Sequence, residues 1–228
     1  MKNTIIILAT IFCMMHNLYA QDKINIGVKG GINIASMSNV GSASASFGSS
    51  SSSNKNKPRI LPHFGIYSEI KVNDVFSFQP ELLFSMKGYS NEAKAINGFT
   101  SSSSETNNKL ALSYIDIPLQ MRFNFNKFHI LAGPYIGFLV AATYKTNSEV
   151  IIGSSSSKSE SKSTSKENFN SPEAGIYLGA GYELENGLSF GARWCRGLSD
   201  VTDNNSTAGN NNSNSVFQIS LGYKLASF

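Results

Sequence analysis

Residues 75–89 read VFSFQPELLFSMKGY, and the parity of this stretch decides the fold. Phe76, Phe78, Pro80, Leu82, Phe84 and Met86 share one parity; Ser77, Gln79, Glu81, Leu83, Ser85 and Lys87 share the other. A period of two gives a strand two faces, here one apolar and aromatic-rich and one polar with ionisable groups. Many half-buried strands alternate. The length of this one, and the charges on its second face, call for a wall that is greasy on one side and wet on the other.

The same alternation recurs along the chain. Residues 23–35 (KINIGVKGGINIA) set Ile24, Ile26, Val28, Ile32 and Ile34 against Lys29 and the asparagines. Further alternating segments are expected at 63–72, 110–123, 128–143, 173–184, 188–198 and 216–225, making eight with 75–89. The connections run long, short, long, short, long, short, long. Asn73-Asp74, 124–127 and Glu185-Asn186-Gly187 are the short ones, with the Asn-Gly pair of a tight hairpin in the last. The polar, Ser- and Asn-rich stretches 40–59, 91–109, 146–171 and 199–215 read as long loops, with 153–167 (GSSSSKSESKSTSKE) the most biased.

An even number of strands with tight turns at one end and long connections at the other predicts an all-β fold. The expected architecture is an eight-stranded antiparallel up-and-down transmembrane β-barrel with four long extracellular loops. A soluble barrel buries apolar side chains inside, whereas here the inward set is charged. Eleven glycines, among them Gly27, Gly137, Gly175 and Gly181, phase inward and leave room for large lumen side chains.

Residues 1–20 have the make-up of a secretory signal peptide: Lys2, an apolar run 5–15, and Leu18-Tyr19-Ala20 before the expected cut. The mature domain is then 21–228, exported through the inner membrane to the cell outer membrane. Of the 2 cysteines only Cys195 remains, which excludes an internal disulfide or a cysteine metal site. The formal charge of +4, lowered by one without Lys2, points away from nucleic acid.

The candidate site is the lumen. Lys29, Glu69, Glu81, Lys87, Asp116, Arg122, Glu183, Arg193 and Lys224 phase inward and are expected to pair as a charge network, because an unpaired charge in a narrow lumen is costly. Lys71 also phases inward. Phe76, Phe128, Tyr182, Trp194 and Tyr223 are expected at the two membrane interfaces. His63 and His129, the only mature histidines, fall at opposite ends of their strands, too far apart to share a site; a rim position is expected for His63. No catalytic set, metal site or cofactor motif is read; GVKGG has no helix after it to bind phosphate.

GVKGGIN (27–33), QPELLFSMKGY (79–89), YIDIPLQMRF (114–123), AGPYIGF (132–138) and ISLGYKL (219–225) stand in this order. Together they resemble the outer-membrane β-barrel proteins of Bacteroidota, of the porin-family or PorT-like kind, over essentially the whole mature chain. The resemblance implies no enzyme activity and no cofactor. Its implied partners are outer-membrane lipid and lipopolysaccharide, the barrel-assembly machinery, and an extracellular or secretion partner. Such chains end in an aromatic in phase with the last strand. Here Phe228 is out of phase, so either the strand carries a bulge or the signal is imperfect. The function expected is structural or interactive, with specificity in the loops and a filled lumen; the alternative is a narrow porin for ions or small solutes.

Overall fold

The computed structural model describes residues 24–38, 43–47, 49–167, 169–202 and 212–228. The leader expected at 1–20 and the stretch 203–211 of the fourth polar connection lie outside them.

Ten strands follow one another: β1 Ile24–Met37, β2 Ala43–Phe47, β3 Ser50–Lys71, β4 Phe76–Asn97, β5 Ser102–Phe125, β6 Phe128–Ile152, β7 Ser155–Thr164, β8 Glu173–Glu183, β9 Leu188–Gly197 and β10 Asn214–Ser227. Eight of them close a ring, β1-β10-β9-β8-β6-β5-β4-β3 and back to β1, each antiparallel to its neighbours. Closure leaves no free edge along the barrel wall, so each wall strand has a neighbour on both sides with which its backbone polar groups can pair without water.

The outer face carries the apolar parity. Ile26, Val28, Phe64, Ile66, Leu82, Leu119, Ile136, Leu178, Phe217 and Leu221 are all exposed on it. A soluble protein would bury such a continuous apolar belt; a barrel in lipid needs it outside. Short turns close one end. Asn73 Oδ1 accepts the N–H groups of Val75 and Phe76 at 2.9 and 2.7 Å, the local hydrogen bonding that favours asparagine in turns. The β3–β4 connection therefore spans Val72–Val75, two residues longer than the Asn73-Asp74 turn expected. Gly187, with φ of 82°, sits where only glycine turns freely, in the β8–β9 hairpin.

The other end departs from expectation. Three of the four polar stretches read as loops are largely strand. Residues 50–59 extend β3, 91–97 and 102–109 extend β4 and β5, and 146–152 extend β6. β2 and β7 flank them, so that β2-β3-β4-β5-β6-β7 form a six-stranded sheet standing beyond the barrel wall. Past the wall neither face meets lipid, so apolar alternation vanishes while backbone pairing continues. The ladder is reinforced by cross-strand pairs: Lys57–Glu92, Lys94–Glu105 at 3.0 Å, Lys145–Glu160 at 2.6 Å and Lys158–Glu149 at 3.2 Å. The run 153–167, expected to be a solvated loop, is mostly β7.

β10 carries a bulge. Gly27 pairs with Lys224, but Ile26 pairs with Ala226, so Leu225 is the extra residue. Of the two readings of the chain end, the bulged, extended strand is the one adopted.

Candidate functional site in the barrel lumen

Inward parity brings the lumen side chains into three polar tiers under an apolar cap. Nearest the short turns, Glu69 accepts from Asn25 Nδ2 at 2.7 Å and Ser77 Oγ at 3.0 Å, with Arg122 Nε at 3.5 Å. Arg122 also bridges Glu183 at 2.5 Å and donates to Gln79 Oε1 at 3.2 Å. Lys224 completes the tier on Glu183 at 2.6 Å.

In the middle tier Glu81 is the hub. Its Oε1 accepts from Lys29 Nζ at 2.9 Å and Gln79 Nε2 at 2.7 Å, and its Oε2 from Arg193 Nη1 at 2.8 Å. Arg193 Nε donates to Gln218 Oε1 at 2.6 Å, and its guanidinium lies 4.2 Å from the Tyr177 ring centre. Three strands, β1, β4 and β9, thus converge on one carboxylate, and Gln218 on β10 joins through Arg193. Burial of such charges is tolerated because each finds a partner in good geometry.

The upper tier centres on Lys87, fully buried between Asp116 and Glu173 at 3.1 Å each. The Tyr114 and Tyr135 rings flank its ammonium at 4.6 and 4.5 Å. Tyr177 OH donates to Asp116 at 3.1 Å, Tyr135 OH to Glu173 at 3.0 Å, and Asn214 Nδ2 to Glu173 at 3.1 Å. Glycine makes room: a Cβ at Gly175 would collide with the Tyr135 ring, one at Gly137 with Asp116, and one at Gly197 with Glu173.

Above this tier Met37, Leu110, Leu112, Tyr114, Leu139 and Ala142 meet Phe169 and Val201, which come from the connections before β8 and after β9. Asn170 N–H donates to the Val201 carbonyl at 2.9 Å, and Tyr144 stacks on Phe169 at 5.8 Å. These connections cover the mouth with apolar side chains. At the opposite end an open vestibule of about 370 Å³ is lined by Glu69, Lys71, Arg122, Lys127, Glu183 and Lys224.

Nine of the ten charges phased inward from the sequence lie in these tiers. Lys71, also phased inward, is instead exposed at the vestibule rim, where β3 ends and the side chain escapes to solvent. Glu173 is absent from the set read from the sequence, although its parity with Gly175 and Tyr177 places it inside; it stands at the very start of β8 beside a polar stretch. His63 is no rim residue. It is 1% exposed, because β3 continues well past it. Its Nε2 lies 2.8 Å from Ser220 Oγ, and Ser220 in turn lines a cavity that His129 also borders. Strand tilt brings residues of different sequence height to one level across a narrow lumen. His63 Nδ1 has no partner among the described residues, so no carboxylate orients the ring as a nucleophile's base requires.

Of the aromatics, Phe128 meets Tyr182 edge-on at 4.8 Å and Phe76 meets Phe123 at 5.5 Å, both beside short turns. Trp194 and Tyr223 are exposed on the outer face, Trp194 Nε1 donating to Ser215 Oγ at 3.2 Å.

A family model described as outer membrane protein beta-barrel domain matches residues 19–203. No curated protein matches the chain in sequence. Among solved structures, Ail, the attachment invasion locus protein of Yersinia pestis, is 7% identical with a TM-score of 0.38, covering 90% of this chain and 100% of that one. Neisserial surface protein A is 14% identical with a TM-score of 0.32, covering 89% and 97%. OprG from Pseudomonas aeruginosa is 14% identical with a TM-score of 0.33, covering 90% and 98%.

Proposed function

Since the chain belongs to the outer membrane protein beta-barrel domain family, we propose that it is a closed, non-conducting barrel whose role is structural or interactive. One observation carries this reading. The lumen is crossed by three paired tiers and capped by Phe169 and Val201, so the path through it is filled by side chains. Specificity then belongs to the six-stranded sheet beyond the wall, on the extracellular side. Its faces are polar apart from a few exposed apolar side chains such as Ile96, Val150 and Ile152, and among the described residues its outer strands β2 and β7 are free edges, the part of a sheet that pairs with other chains.

The finer reading follows the motifs quoted above: a PorT-like protein of Bacteroidota, exported by a cleaved signal peptide and inserted by the barrel-assembly machinery. Outer-membrane lipid and lipopolysaccharide surround it, and an extracellular or secretion partner engages the sheet. No catalytic role is proposed, because His63, hydrogen-bonded to Ser220, has no carboxylate partner among the described residues, and the cavity that Ser220 lines is too small for a substrate.

The test is conductance in a planar lipid bilayer, with folding verified by heat-dependent gel mobility. A folded, silent protein is expected. Discrete, reproducible current steps would overturn the reading in favour of a narrow porin for ions or small solutes.

A further inference from the structure

Between the vestibule and the upper tier lies a cavity of about 40 Å³. Lys29, Gln79, Arg122, His129, Arg193 and Ser220 line it, and no carboxylate does. The charges of the tiers explain why this matters. The lower tier is neutral, Arg122 and Lys224 against Glu69 and Glu183. The middle tier sets Lys29 and Arg193 against Glu81 alone, leaving one positive charge over. The extra carboxylate of the upper tier lies beyond Tyr177, whose ring covers Arg193 and whose hydroxyl is turned to Asp116. Arg193 itself is 4% exposed, and its Nη2 is buried without a hydrogen-bond partner among the described residues. An unanswered guanidinium N–H in a dry interior costs far more than one in water.

We propose that this cavity is a binding site for a small inorganic anion of halide size. A site for one water-sized occupant needs about 10–15 Å³, so the cavity holds a halide with at most a little water and excludes organic anions. Arg193 Nη2 and Lys29 supply the charge, with Ser220 Oγ and Gln79 beside them. Arg122 lines both this cavity and the vestibule, so the anion enters from the short-turn end past that side chain. The proposal stands apart from whether the barrel conducts.

The experiment uses the refolded full barrel in detergent. Crystals soaked in sodium bromide should show an anomalous peak within hydrogen-bond distance of Arg193 inside the lumen. In solution, the unfolding midpoint at constant ionic strength, with gluconate replaced by chloride, should rise and saturate, as it must for a ligand held only by the folded state. Lys29→Met removes the surplus charge but keeps the Arg193–Glu81 pair, and should weaken chloride binding about tenfold or more, since the strong hydrogen bonds are the charge-assisted ones. A bromide peak confined to the vestibule, or no peak, overturns the proposal. So does a flat chloride response in the folded wild type, or one that Lys29→Met leaves unchanged. Should Lys29→Met fail to fold, the wild-type bromide position decides.

Discussion

Ile24 and Phe228 exchange both of their backbone hydrogen bonds at 2.9 Å, the N–H of each donating to the carbonyl of the other. Residues directly opposite in an antiparallel ladder share a face. Ile24 is on the outer face, so Phe228 is too, and it is 64% exposed there. The bulge at Leu225 achieves this, while Ser227, one place back, turns inward to Asn25 at 2.8 Å.

Deleting Leu225 should therefore be tolerated. It would regularise the ladder and keep Phe228 opposite Ile24. Inserting one residue after Ala226 should turn the aromatic inward. The measurement is the yield of heat-modifiable barrel in cells beside the yield of refolding in detergent. The insertion, and Phe228→Ser, should depress the first yield much more than the second. Equal yields for all variants would show that the outward aromatic plays no part in assembly.

Lys87→Met should be among the most damaging single changes. It leaves Asp116 and Glu173 facing one another, both buried, and breaking a buried ion pair from one side costs roughly 3–5 kcal/mol. Adding Asp116→Asn and Glu173→Gln should recover a large part of that loss. Urea unfolding followed by Trp194 fluorescence reads the difference. A triple variant no more stable than Lys87→Met would mean that the lysine stem, packed between two tyrosines, matters more than its charge.

Gly27→Val and Gly175→Val should differ in how they can be rescued. At Gly27 the nearest three atoms to an added Cβ all belong to the Tyr67 side chain, so Tyr67→Ser should relieve the clash. At Gly175 the Arg196 carbonyl obstructs as well as the Tyr135 ring, and trimming the ring leaves the backbone in the way. Folded fraction by gel mobility should therefore recover in the first double variant and stay low in the second.

The sheet beyond the wall should weaken in acid before the barrel does. The Lys57 ammonium hydrogen-bonded to Glu92 holds that carboxyl below its ordinary 4.5, and the charge of Lys94 acts in the same direction. A carboxyl depressed on folding contributes stability that is full above its unfolded value and is lost as pH falls through its folded value. The loss should thus begin near pH 4.5 and deepen below it. A carbon-13 titration of Glu92 should give a midpoint under 4.5 that Lys57→Met moves up; an unmoved midpoint would deny the pairing.

The membrane-facing half of this fold is written in single residues. Parity alone separates Phe78 from Gln79 and Ile117 from Asp116, because a strand with lipid on one side and polar lumen on the other admits no other arrangement. Turn residues such as Asn186-Gly187 carry their own geometry and are equally local. The sheet beyond the wall left no such mark. Serine and asparagine are accepted on both faces of a strand in water, so backbone pairing there is decided by neighbours that continue from the barrel.

The site divides in the same way. That Glu81, Arg193 and Lys29 point inward follows from sequence, whereas their meeting on one carboxylate does not. Partners 52 and 112 residues apart in the chain are joined only when the ring closes with a particular register and tilt. His63 shows the limit most clearly: parity placed it inside, but only the closed barrel put it in the middle of the lumen against Ser220. The surplus positive charge of the middle tier, the apolar cap and the outward return of Phe228 likewise depend on which strands are neighbours and where one bulge falls. Sequence determined the wall and its two faces; tertiary structure decided what the wall encloses, because charge pairing and packing act between residues distant in the chain.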